Sequence, residues 1–194
     1  MMEYVVAAGL GYLVGSFPTA YLVVKQLTGQ DIRTIGSGNV GATNVKRAAG
    51  FKPYLFVLLF DMCKGLVPVW FSTQLYPKAY FLHILVALAT VIGHSKSIFL
   101  KFAGGKSAAT GLGGMMGLAP VPALLLGVLA FTITKFTRFV SLGSITASLL
   151  APVMLYLFGC PRPYVGYAAV AGLYVIFLHR ANIQRLLKGT ENRI

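Results

Sequence analysis

The residues best able to do chemistry in this chain interrupt long apolar runs, and four interruptions stand out. The first is Ile35-Gly36-Ser37-Gly38-Asn39-Val40-Gly41-Ala42-Thr43-Asn44-Val45-Lys46-Arg47. Three of the six residues from 36 to 41 are glycine, which frees successive backbone N–H groups to turn toward one point. Such a nest binds anions, above all where it leads into a helix N-terminus. The Arg47 guanidinium can close on a phosphate with two parallel hydrogen bonds. The same composition also fits a loop that opens a helix with Ser37 or Asn39 as its cap.

The second interruption runs from Gly93-His94-Ser95-Lys96 to Gly104-Gly105-Lys106-Ser107-Ala108. Gly-Lys-Ser ahead of a helix looks like the end of a nucleotide P-loop, but no glycine stands five residues before the Gly105-Lys106 pair. What survives is a lysine and small residues at a helix start, again suited to an anion or to a basic interfacial loop. Glycines 111, 113, 114 and 117 fit close helix packing. The third is Thr137-Arg138-Phe139-Val140-Ser141-Leu142-Gly143-Ser144, where Ser141 and Ser144 are caps or ligands. In the fourth, His179 to Glu191, the side chains of His179 and Asn182 stand three apart and share a helix face. Asp61 and Lys64 have the same spacing inside an apolar run, where ionisable groups are costly and either pair with each other or contact substrate.

Acidic chemistry is nearly excluded. Glu3, Asp31, Asp61 and Glu191 are the only carboxylates, and they are far apart. Two-carboxylate catalysis, carboxylate-rich metal sites and a Ser-His-Asp triad are poor fits. No histidine has an aspartate five residues later, so the His-x4-Asp acyltransferase dyad is missing as well. Neither a metal nor another cofactor is expected. Cys63 and Cys160 read as small buried side chains.

The elements that must position these groups are membrane helices. The 194 residues are 57% apolar and 11% charged, less than half the usual charged share of a soluble domain. A crossing helix needs about 20 apolar residues, and spans are expected over 4–24, 53–75, 79–100, 107–118, 121–136, 142–158 and 164–179, the fourth of them only 12 residues long. Pro120 and Pro122 divide what would otherwise be one overlong helix. The fold class is thus an all-α integral membrane protein, a bundle of seven transmembrane helices in one domain, 1–194. A net charge of +13 would suggest nucleic acid in a soluble protein. Here it is better explained by lipid headgroups and topology, and no nucleic-acid partner is expected. Seven spans put fourteen Lys and Arg residues on one side and only Lys78 and Arg162 on the other. The positive-inside rule then places the N-terminus outside and the C-terminus, with all four polar segments, in the cytoplasm.

Taken together, Ser37 to Asn44 ending in Arg47, Asp61-x-x-Lys64-Gly65, Gly93-His94, Gly104-Gly105-Lys106, Ser141-Leu142-Gly143-Ser144 and His179-Arg180-x-Asn182-Ile183-x-Arg185-Leu186 with Gly189-Thr190-Glu191 resemble the bacterial acyl-phosphate-dependent glycerol-3-phosphate acyltransferases. The resemblance covers almost the whole chain, in order. It implies a multi-pass enzyme of the bacterial inner membrane that moves a fatty acyl group from acyl phosphate to position 1 of glycerol 3-phosphate, giving lysophosphatidate and phosphate. It implies catalytic roles for Ser37, Arg47, Lys106, His179 and Asn182. Substrate binding would fall to Gly38, Asn39, Gly41, Thr43, Asn44, Gly104, Gly105, Ser107 and Ser144. Asp61, Lys64, His94 and Glu191 are supporting candidates. Ser107 departs from the family pattern, which usually has glycine there; beside Lys106 its hydroxyl could donate to phosphate. The hydroxyl proton of glycerol would pass to a phosphate oxygen or to His179. The rival class is a carrier for phosphate or an organic phosphate, although no internal repeat supports one.

Overall fold

A computed structural model describes residues 1–194. It is all-helical: α1 (Met2–Ser16), α2 (Thr19–Thr28), α3 (Ala42–Ala49), α4 (Phe51–Leu75), α5 (Tyr80–Ser95), α6 (Ala108–Leu118), α7 (Pro120–Thr137), α8 (Val140–Leu157), α9 (Arg162–Leu178) and α10 (Arg180–Leu187), with 3-10 turns at Ile32–Thr34 and Ile98–Leu100. Four segments are long and apolar enough to cross a membrane: α1 with α2 as Met2–Thr28, α4, α7 and α8. Helices α9 and α10, joined across a 60° bend, make a fifth, and α5 is a shorter apolar helix.

Prolines set several breaks. Phe17, held extended ahead of Pro18, separates α1 from α2, as the residue before proline avoids helical backbone. The first expected span, 4–24, is therefore two helices. Leu118 ends α6, and Pro120 opens α7 at its first position, where a missing N–H costs nothing. The span expected over 79–100 is corrected: α5 stops at Ser95. The Ser97 hydroxyl donates to the Ser16 carbonyl at 2.5 Å, and the chain then reverses on left-handed Lys101 and Phe102.

Glycines let the helices touch backbone to backbone. A methyl group at Gly15 would collide with Thr90 of α5, and one at Gly93 with Tyr12 of α1. Gly65 and Gly113 stand in the same relation across α4 and α6. Contacts that advance together fix direction: Gly11 meets Val86 and Gly15 meets Thr90, so α1 and α5 run parallel, and Gly65 meets Thr110 while Gly117 meets Trp70, so α4 and α6 do too. Gly143 meets Ala130 and Gly172 meets Ser148, and the short connections at 138–139 and 158–161 turn α7, α8 and α9 back on one another in alternating directions. The larger core, built around Val69, Met115, Leu126, Leu155 and Tyr167, fills the space among α4 to α9. Outward, Leu13, Phe56, Leu59, Phe131, Leu149 and Leu173 are exposed, an apolar coat that suits lipid and not water.

Candidate functional site

A single cavity of about 510 Å³ joins the polar segments to an apolar cleft. The first loop contributes Ser37, Asn39, Gly41, Thr43, Asn44 and Arg47; the second contributes Lys106 and Ser107. Helix α8 adds Ser141 and Ser144, and the C-terminal segment adds His179, Asn182, Arg185 and Glu191. Asp61 and His94 reach its wall. Gly38, Gly104, Gly105 and Lys64 do not line it.

Asn44, fully buried, organises the first loop. Its Oδ1 accepts from the Ser37 backbone N–H at 3.1 Å, and its Nδ2 donates to the Ile32 and Ile35 carbonyls at 3.1 and 2.9 Å. The amide expected to bind substrate is thus committed to the loop itself. Left-handed Gly36 and Gly38 (φ 55° and 67°) complete the turn. Gly41, with no capping side chain, precedes α3, so neither Ser37 nor Asn39 is the cap. Arg47 lies in the last turn of α3 and reaches the cavity.

The second loop is held from behind. The Gly105 N–H donates to the His94 carbonyl at 3.0 Å. A methyl at Gly104 would strike that carbonyl, and one at Gly105 the His94 ring. Beneath them Asp61 pairs with Lys64 at 2.7 Å, Lys64 also donates to the Phe17 carbonyl at 2.8 Å, and His94 Nδ1 lies 3.4 Å from the Lys64 ammonium. The pairing expected from the Asp61–Lys64 spacing is present. Ser107 is left-handed (φ 59°), which explains why glycine suits this position. Its buried hydroxyl donates to the Val91 carbonyl at 2.7 Å, so the expectation that it donates to phosphate is corrected.

Lys106 instead leads into a C-terminal network. Its ammonium donates to Asn182 Oδ1. Asn182 Nδ2 donates to Glu191 Oε1 at 2.6 Å, Ser141 Oγ to the same oxygen at 2.9 Å, and Arg185 Nε to Oε2 at 2.8 Å. Ser141 is a partner of Glu191 and not a helix cap; Ser144 sits within α8. Burial works to raise the Glu191 carboxyl, but these hydrogen bonds hold it below its ordinary range. Burial, reinforced by Arg185 and Arg47 and opposed by Glu191, pulls the Lys106 ammonium down to about 8. His179 stands at the α9–α10 bend, its Nδ1 against the Val175 carbonyl at 2.8 Å. A carbonyl only accepts, so Nδ1 carries the hydrogen and the neutral ring keeps its Nε2 lone pair.

Arg185 was not among the site residues expected from sequence. Its spacing, three residues after Asn182 on one helix face, was the available signal. The apolar wall, including Met115, Leu126, Ala151 and Tyr167, gave none, because its members are dispersed over four helices. No three His, Cys, Asp or Glu side chains gather where they could hold a metal.

Comparison with known proteins agrees with this geometry. The family model described as Glycerol-3-phosphate acyltransferase matches residues 5–189. A glycerol-3-phosphate acyltransferase from Rippkaea orientalis is 45% identical over 95% of this chain and 90% of its own. Glycerol-3-phosphate acyltransferase 2 from Moorella thermoacetica is 44% identical over 98% and 97%. The crystal structure of PlsY, an integral membrane glycerol 3-phosphate acyltransferase, in its glycerol 3-phosphate form matches with a TM-score of 0.94 at 37% identity, covering 98% of this chain and 95% of that one. Its lysophosphatidic acid form matches at 0.90 and 38% identity, with the same coverage. A multi-pass, all-helical integral membrane protein, the chain belongs to the glycerol-3-phosphate acyltransferase family.

Proposed function

We propose that the protein transfers a fatty acyl group from acyl phosphate to the sn-1 hydroxyl of glycerol 3-phosphate, releasing lysophosphatidate and inorganic phosphate. The observation that carries this reading is the cavity itself: cations and polar side chains at one end, an apolar cleft at the other. Both reactants carry phosphate, and one also carries a hydrocarbon chain. The related PlsY structures hold glycerol 3-phosphate and lysophosphatidic acid, which supports the acceptor and the product.

Arg47, Lys106 and Arg185 hold the two phosphates, with Ser37 and Thr43 as hydroxyl donors. Bringing the glycerol oxygen within ~3–3.5 Å of the acyl carbon makes attack effectively unimolecular. The new oxygen–carbon bond forms as the acyl carbon–phosphate oxygen bond breaks, and the cations stabilise the charge on departing phosphate. The glycerol proton goes to a phosphate oxygen, with His179 Nε2 as the protein alternative; Asn182 fixes Lys106 within reach. Seven crossings, with α5 and α6 as short spans, follow the alternating helix directions. The charge asymmetry supports an outer N-terminus and a cavity facing the cytoplasm of a bacterial inner membrane.

The test is purified protein supplied with acyl phosphate and labelled glycerol 3-phosphate, without coenzyme A, carrier protein or metal. Stoichiometric lysophosphatidate and phosphate are expected. Transfer from an acyl thioester alone would overturn the donor assignment, and binding of glycerol 3-phosphate without any transfer would favour the carrier.

A further inference from the structure

The apolar half of the cavity has one open side and one closed end. Leu124, Val128 and Phe131 line it and are more than half exposed on α7, so the cleft communicates with lipid. Away from the cations it is bounded by fully buried side chains: Leu126 of α7, Ala151 of α8 and Tyr167 of α9. Farther from the cations along α6 and α8, Leu118 and Leu155 are buried in the core and do not line the cavity. The cleft therefore ends on a floor.

Helix rise gives its depth. At 1.5 Å per residue the wall from Ser107 to Met116 is about 14 Å long, from Ser141 to Ala151 about 15 Å, and from His179 to Tyr167 about 18 Å. One leaflet is about half of the ~30 Å hydrocarbon core, so the slanting floor lies at the depth of a membrane-length acyl chain. Tyr167 has a further peculiarity. Its hydroxyl is buried and has no hydrogen-bond partner, a state that costs ~1–3 kcal/mol relative to a paired one. Phenylalanine would fill the core without that cost. What the hydroxyl adds is reach: it lies 3.1 Å from where a methyl on Gly114 would stand, sealing the floor against α6.

We propose that Tyr167, with Ala151 and Leu126, is the stop against which the methyl end of the donor acyl chain is measured, so that it sets chain-length preference. This rests on the acyl-transfer reading above. A chain one methylene too long must displace buried, close-packed atoms, and in a closed apolar pocket a methylene discriminates by ~10-fold or more. The open α7 side admits the chain but cannot measure it.

The experiment compares kcat/KM over saturated acyl phosphates increasing by two carbons, in detergent-solubilised full-length protein. Tyr167→Ala opens the floor and raises the ratio of long- to medium-chain kcat/KM by at least ~10-fold. Ala147→Leu, on the half-buried part of the α8 wall nearer the cations, lowers the same ratio by a comparable factor and does not depend on Tyr167→Ala folding. Tyr167→Phe keeps the ring and leaves the preferred length within one step of wild type. An unchanged length profile in Ala147→Leu, or in a folded Tyr167→Ala, overturns the proposal while wild-type turnover upholds acyl transfer. Failure of the wild type with every acyl phosphate overturns the acyl-transfer reading itself.

Discussion

The two glycine-bearing loops at the cavity look alike in sequence and differ in what their glycines do. In the first, Gly36 and Gly38 occupy left-handed backbone, and one side chain, Asn44, ties the turn together. In the second, Gly104 and Gly105 are there because nothing larger fits against the carbonyl and ring of His94; the left-handed positions fall on Lys101, Phe102 and Ser107 instead. One loop is shaped by its own conformation, the other by what it is pressed against. A run of glycines beside a cation is thus not by itself an anion nest, and its physical cause must be found residue by residue.

The sharpest way to separate the loops is through their cations. Lys106→Ala removes the charge that the second loop is pressed into place to present, and kcat should fall ~10²–10³-fold with little change in melting temperature. A smaller but more telling contrast comes from the glycines. Gly105→Ala forces a methyl into His94 and should cost ~3 kcal/mol or more. Gly38→Ala meets only the Arg33 carbonyl, at 3.1 Å, and should cost the ~1–2 kcal/mol of left-handed backbone. Melting temperature in one detergent checks both, and equal losses would erase the distinction.

A pH profile sharpens the comparison further. Lys106, ordinarily ionised to about 10.5, loses its proton near 8 in the folded protein. It is therefore charged below that pH and increasingly neutral above it. As kcat/KM reports the free enzyme, its value for glycerol 3-phosphate should fall as pH rises through about 8. Lys106→Arg, which keeps its charge, should lose that limb even where its overall rate is lower. The smallest effect is at Ser107. Glycine there relieves a left-handed side chain but removes the hydrogen bond to Val91, so Ser107→Gly should change stability by less than ~1 kcal/mol.

Local physics made part of this legible in advance. Pro120 marked the break between α6 and α7, and the three-residue spacing of Asp61 and Lys64 marked their ion pair. The end of α5 was hidden because Ser97-Ile98-Phe99-Leu100 continues an apolar run; what stops the helix is a hydroxyl reaching Ser16, 81 residues away. Ser141 looked like a cap because its partner, Glu191, comes 50 residues later. The apolar cleft was invisible for a related reason. Ala147, Ala151 and Gly172 read as packing residues in any single helix, and only the assembly of α6 to α9 leaves a space between them.

The central claim is that both phosphorylated reactants occupy one cavity at the same time and react directly. Initial rates measured while acyl phosphate and glycerol 3-phosphate are varied together test it most directly. Double-reciprocal lines that intersect, as for a ternary complex, are the expected result. Parallel lines, the signature of a covalent acyl-enzyme formed before the acceptor binds, would contradict it.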